Sequence, residues 1–228
     1  MWRFFCLLLL VGCSGGQPHF PGHSFLGAPY MESPLGEEVL PDTDPLIRFD
    51  AFDCTTFVET ALADGDSKSL QRIRYKDGKI GFLTRNHFIE SDWLQNNKKW
   101  AKNVSQRFAP TKIRNVVIDK KSWLKKIHNI DADITPTEVN LEYIPYENAK
   151  NIVVKQPMIV LFITDNPKIR DKIGTDLAVV HMGFLLPNGI LRHASSEQGA
   201  VVDAPWSEYV AARQKNKNNL GITLVEVK

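Results

Sequence analysis

The chain has 228 residues, 43% hydrophobic and 10% aromatic, which is enough for one well-buried domain of ordinary size. Its formal charge is +2, and its 13 prolines and 14 glycines form no repeat or low-complexity tract. That balance excludes a fibrous or largely disordered protein and a uniformly basic one.

The first elements are targeting signals. Arg3 gives a positive start, and "FFCLLLLVG" gives an apolar stretch shorter than the about 20 residues a bilayer span needs. The stretch ends in Leu10-Val11-Gly12-Cys13, which resembles a bacterial lipobox. The resemblance implies a lipoprotein signal over residues 1–12 and lipidation of Cys13. Ser14 follows where an aspartate would retain the protein in the inner membrane, so a periplasmic, outer-membrane location is expected. Residues 13–45, rich in Gly, Pro and Ser, read as the lipidated cysteine and its linker. Phe20, Phe25 and Tyr30 could lay part of that linker across a domain surface. A plain secretory signal with an incidental cysteine is the alternative.

Once Cys6 leaves with the signal and Cys13 carries lipid, Cys54 is the only thiol of the mature chain. It has no disulfide partner in an oxidising compartment, so it is either buried and inert or used. Asp53 can cap a helix in which Phe57, Val58, Ala61 and Leu62 recur at helical spacing, and Gly65 ends it. "SLQRIRY" reads as a helix, "DGKIGFL" as a turn into a short strand, and "ESDWLQNN" as a helix capped at Ser91. "SWLKKIH" is a further short helix, and residues 129–150 are irregular apart from "EVNLEYIPY". Residues 67–128 carry 16 Lys or Arg against 4 Asp or Glu. This is either a solvated face or an attraction for anionic groups such as peptide carboxylates.

The C-terminal third reads as strands: "PMIVLFIT", "LAVVHMGFLL", "GILRHASS" and "GITLVEV". "PMIVLFIT" has the continuous apolar run of a strand buried on both faces. Helices followed by an antiparallel meander make the fold α+β. With Pro187-Asn188-Gly189 as a three-residue loop, Leu186 pairs with Ile190 and Gly183 with His193. His181 and His193 then share a face as diagonal neighbours about 7 to 8 Å apart at the backbone. A two-residue Asn-Gly turn would set them on opposite faces.

A helix-borne cysteine facing two histidines is a nucleophile arrangement. The helix N-terminus and an imidazolium favour thiolate, one histidine moves the proton, and the second orients the first. The free N–H of Cys54 could serve an oxyanion.

"FDCTTFVE", followed by "VVHMGFLL" and "LRHASS", resembles the NlpC-type cell-wall peptidase superfamily, whose fold is papain-like. The segments "RNHFIESDW" and Tyr143-Ile144-Pro145 narrow the resemblance to its N-acetylmuramoyl-L-alanine amidase-like branch. The resemblance covers residues 46–228 as a single cysteine-hydrolase domain with a helical or irregular insertion at about 98–157. It implies a muropeptide hydrolase that cuts the amide between N-acetylmuramic acid and L-alanine, with anhydro-muramyl fragments favoured. Carried over by position, Cys54 is nucleophile and oxyanion donor, His181 is base then acid, and His193 is the orienting residue. The substrate-binding candidates are Arg85, His87, Asp92, Trp93, Tyr143 and Ser195.

Each of several candidates has a plainer reading. Arg85 could grip a peptide carboxylate or pair with Asp92 as scaffold, and Asp92 could simply cap a helix. His87 could be a satisfied core histidine, and Trp93 a core residue instead of a sugar platform. No cofactor or metal is expected. The partners are peptidoglycan fragments and, through the anchor, a membrane; nucleic acid is not expected, and the chain is expected to be a monomer. The alternatives are a D-glutamyl-diaminopimelate endopeptidase of the same fold, a zinc site made by Cys54, His181 and His193, and a non-catalytic peptidoglycan-binding lipoprotein.

Overall fold

The structure, a computed structural model, describes residues 21–35 and 47–228. The signal sequence expected over residues 1–12, the lipidation expected at Cys13 and the expected linker boundary at residue 45 lie outside those residues. Among the described residues, no helix is long and apolar enough to cross a membrane.

Two helices open the domain, α1 (Cys54–Ala63) and α2 (Ser67–Arg74). Asp53 caps α1 through a reciprocal box: its carboxylate accepts from Thr56 N at 2.7 Å, and Asp53 N donates to Thr56 Oγ1 at 3.0 Å. The helix ends at Asp64 with φ of 49°, just before Gly65 at φ 76°. Where a turn into a strand was expected after α2, the chain makes two short 3-10 turns, Lys76–Gly78 and Phe82–Thr84. "ESDWLQNN" is a π turn, Ile89–Trp93, running into α3 (Leu94–Asn96). Ser91 is therefore inside the turn and not its cap.

The segment expected to be a helical or irregular insertion also contributes three strands to the sheet. It holds β1 (Ala101–Asn103), β2 (Lys112–Ile118), α4 (Lys120–His128), β3 (Thr137–Pro145) and α5 (Tyr146–Ala149). Along β2 the exposed positions carry Lys112, Ile113, Asn115 and Val117, and the buried ones Arg114, Val116 and Ile118. Apolar residues on both faces and an arginine inside blur the alternation a sequence reading depends on. Then come β4 (Met158–Thr164), α6 (Pro167–Ile173), β5 (Val179–Leu185), β6 (Ile190–Ser195), β7 (Ala200–Pro205), α7 (Trp206–Gln214) and β8 (Asn219–Val227).

Among the described residues, eight strands form one sheet in the order β2-β3-β8-β4-β5-β6-β7, with β1 also on β8, and its ladders are antiparallel. The fold is thus α+β. The last strand does not extend the meander; it returns between β3 and β4. Each face of β4 feeds one core. Ile159, Leu161 and Ile163 join Phe57 and Val58 of α1, whereas Val160 and Phe162 join Trp206 and Val210 of α7. Each such buried side chain contributes about 1.5–3 kcal/mol. Residues 21–35 lie on the α1 side, where Tyr30 bridges to Phe52 and Phe25 packs on Phe52 with ring centroids 4.9 Å apart.

Candidate active site

The β5–β6 hairpin carries both strand histidines. Its loop is closed by Gly189 N donating to Leu186 O at 3.0 Å, and Leu186 N donates to Ile190 O at 2.8 Å. Leu185 faces Leu191 and Phe184 faces Arg192, the register of a three-residue loop. His181 and His193 consequently meet on one face, with His181 Nε2 2.8 Å from His193 Nδ1 and the rings at 82° to each other. Gly183 makes the approach possible: a Cβ there would lie 2.9 Å from His193 Cβ and 2.7 Å from Arg192 O. Behind the pair, Phe162 and Tyr209 hold the rings at centroid distances of 5.3 Å to His181 and 5.0 Å to His193 respectively.

The strand entering His181 is bulged. Phe162 faces His181 but Ile163 faces Val179, so Val180 is an extra residue, an irregularity of the kind that re-aims side chains. Beneath it lies Glu90 of the π turn, 0% exposed, whose Oε1 accepts from Ala178 N at 2.6 Å and Val179 N at 3.4 Å. This carboxylate pins the start of β5 from below.

Cys54 is half-buried at the first position of α1. It shares a cleft of about 170 Å³ with His181, Val180, Asn86 and His87. Its sulfur lies 4.0 Å from Thr55 Oγ1 and is not hydrogen-bonded to His181. Burial pushes the thiol pKa up to about 12 and Asp53 adds to the rise, while the N–H groups of Met182 and of Cys54 itself oppose it. Burial also depresses both histidines, with Arg213 adding its positive charge: His181 falls well below the ordinary value, and His193 falls to about 4. The resting site is therefore a neutral thiol beside a neutral imidazole pair. With one proton in the ring-to-ring bond, His181 Nε2 can donate to His193 Nδ1, which leaves His181 Nδ1 as the lone-pair base.

Several solved structures share this fold. A protein from Legionella pneumophila superposes with a TM-score of 0.80 at 25% identity, over 90% of this chain and 86% of that one. An N-acetylmuramoyl-L-alanine amidase from Bacteroides uniformis superposes with a TM-score of 0.70 at 26% identity, over 91% and 97%. None of the curated proteins matches significantly. The AmiA-like family, described as N-acetylmuramoyl-L-alanine amidase-like, matches residues 21–221. The chain belongs to that family. The match begins well before residue 46, in keeping with the packing of residues 21–35 on the domain.

The amidase-like chain brings only some of the expected substrate-binding residues to its clefts. Arg85 and His87 line a groove of about 290 Å³ with Asp53, Thr55 and Asn86, and a further one of about 320 Å³ with Asp92, Lys76 and Lys120. His87 donates through Nε2 to Phe82 O at 2.6 Å, and burial lowers its pKa to about 3. Asp92 does not pair with Arg85; it takes Lys120 Nζ at 2.6 Å, Ser91 Oγ at 3.1 Å and Phe88 N at 3.2 Å. Ser195 is beside His193 in another cavity and accepts from Gln198 N at 3.1 Å.

Trp93 and Tyr143 are corrections. Trp93 is 0% exposed and edge-on to Trp100, and Tyr143 is 8% exposed in the same core. Both are large apolar rings on elements packed inward, so they fill the core and leave substrate contact to others. The sequence reading missed Tyr209 and Arg213 of α7 and Asn86. A tyrosine and an arginine four apart on one helix were the available signal for α7, but nothing in the sequence says which cleft that helix covers.

Proposed function

We propose that this protein hydrolyses the amide between the lactyl group of N-acetylmuramic acid and L-alanine in small muropeptides, by cysteine catalysis on a papain-like frame. The ring-to-ring contact of His181 and His193, with His181 and Cys54 walling one cleft, carries the reading. The order is cysteine on a helix, histidine on one strand and polar partner on the next.

In this reading the substrate carbonyl enters above Cys54. His181 Nδ1 takes the thiol proton as sulfur attacks, and the imidazolium is held through Nε2 by His193. The high thiol pKa makes proton transfer part of the attack and not a prior equilibrium. The α1 N-terminus and the Met182 N–H stabilise the sulfur's negative charge, and the Cys54 N–H can turn to the oxyanion. The same proton then goes to the departing alanine nitrogen, and water deprotonated by His181 releases the acyl group. The grooves holding Arg85, Lys76 and Lys120 suit the carboxylates of a stem peptide. Anhydro-muramyl fragments are the favoured substrates in this proposal. The site of action is the periplasmic face of the outer membrane, with Cys13 as lipid anchor; Leu10-Val11-Gly12-Cys13 supports this.

Digestion of defined muropeptides, with and without the anhydro end, tests the proposal by mass spectrometry. Free sugar and intact peptide are expected, whereas a D-glutamyl-diaminopimelate cut would leave a sugar-linked dipeptide. Cys54→Ser and His181→Ala should each lower kcat on the order of 10⁴-fold. Undiminished release of L-Ala-headed peptide by either variant would refute it.

A further inference from the structure

A separate cavity of about 410 Å³ includes the histidine pair but not Cys54 in its wall. His193 is 2% exposed there. When His193 Nδ1 accepts from His181, the proton of His193 sits on Nε2, and that atom is buried with no hydrogen-bond partner among the described residues. Arg213 Nε is in the same condition. The arginine is held in place: Asn219 Nδ2 donates to its carbonyl at 2.8 Å, Nη2 lies 3.5 Å from Asn219 Oδ1, and the guanidinium sits 5.7 Å from the Phe162 ring centroid. His193 and Arg213 both line this cavity, and each holds a buried N–H donor, one of them on a cation. A buried donor without an acceptor costs about 1–3 kcal/mol, so such a wall favours a ligand that accepts from both.

We propose that this cavity binds a carboxylate that accepts from His193 Nε2 and Arg213 Nε. The binding would couple to the chemistry. Arg213 lowers the proton affinity of both histidines, and an anion beside it cancels that charge and makes His181 a stronger base. The other charged or titratable groups facing the pair and Arg213 are Tyr209 of α7, Tyr146 of α5, whose buried hydroxyl interacts with Arg213, Asp203 of β7 and Glu197 of the β6–β7 turn, with Cys54 of α1 near Tyr209. Glu197 is exposed on the cavity rim and bonds neither donor, so the chain's own carboxylate leaves the place open. The ligand is either a free carboxylate anion or a carboxylate of the stem peptide; only the second source rests on the amidase reading.

The test is histidine ring NMR on the full chain, titrated with sodium acetate against sodium chloride at constant ionic strength. Acetate should shift the His193 ring saturably and raise its pKa by about one unit. Arg213→Gln should abolish the response. Arg213→Lys, which keeps the charge without the Nε donor, should weaken acetate binding at least about tenfold. Glu197→Gln should leave the response in place. A wild-type response no larger than that to chloride overturns the proposal, as does a response seen only in Glu197→Gln, which would make Glu197 the resident carboxylate. Competition of acetate by a muropeptide with free stem carboxylates, but not by its amidated form, assigns the site to substrate; no competition by either assigns it to the free anion, and the carboxylate site stands in both cases. The titration reads binding and not turnover, so its failure is separable from failure of the amidase reading.

Discussion

Asp53 and Cys54 pull against each other. The aspartate caps α1 and so fixes the cysteine at the helix start, yet its charge opposes thiolate formation. The two effects can be separated, because asparagine caps a helix about as well as aspartate without the charge. Asp53→Asn should leave thermal stability within about 1 kcal/mol and lower the thiol pKa, so that iodoacetamide alkylates Cys54 faster at pH 8. A slower or unchanged alkylation rate in a folded variant would show that Asp53 does not set the thiol's ionisation. Single residues were legible where counting or local chemistry decides. Cys54 stood out because the other two cysteines lie within the first thirteen residues, and Asp53 because cap chemistry is read three residues at a time. Trp93 stayed open between sugar platform and core because an Asp-Trp pair looks the same in a cleft and in a core, and the packing of the π turn puts it in the core.

The hairpin is the element that makes the site. It was readable in part: Pro-Asn-Gly allowed a three-residue loop or a two-residue Asn-Gly turn, and the observed three-residue register is the one that puts both histidines on one face. The sheet around it was less readable. β7 and α7 abut at Pro205-Trp206 without an intervening loop signal, and β8 reaches its place between β3 and β4 only through long-range pairing. Even within the hairpin one residue decides. Gly183 sits where a side chain would press on His193, and its neighbours there are backbone and Cβ, which cannot swing away. Gly183→Ala should cost about 1–3 kcal/mol of stability from overpacking. It should also break the 2.8 Å contact between the rings and so lower kcat about 10²-fold or more with KM little changed. Steady-state kinetics beside a denaturation midpoint separate the two effects. Full kcat in Gly183→Ala would mean that the ring contact is not needed for turnover.

Across the whole molecule the burial that keeps the histidines neutral has a second consequence. His87 and His193 are lowered to about 3 and about 4, and His181 well below its ordinary value, chiefly by burial. Unfolded, each would take a proton near pH 6.5. Above that pH neither state holds these protons and they do not affect stability. As pH falls below it, the unfolded chain gains up to three protons that the folded one refuses, and stability drops by at most about 4 kcal/mol per pH unit. Two carboxyls work the other way: burial raises Asp53 and Glu90, so the fold keeps their protons where the unfolded chain has released them. With three histidines against two carboxyls, the midpoint of thermal unfolding should fall between pH 7 and pH 5. His87→Gln can still donate to Phe82 O but takes up no proton when unfolded, so it should make that fall shallower. Calorimetry on both proteins at the two pH values checks this, and a midpoint that rises on acidification would mean the carboxyls outweigh the histidines. The folded His181 takes up a proton only below its own depressed pKa, so in the proposed mechanism turnover by folded protein should persist to lower pH than the onset of destabilisation, and Glu90→Gln, which removes one opposing carboxyl, should steepen the fall in stability.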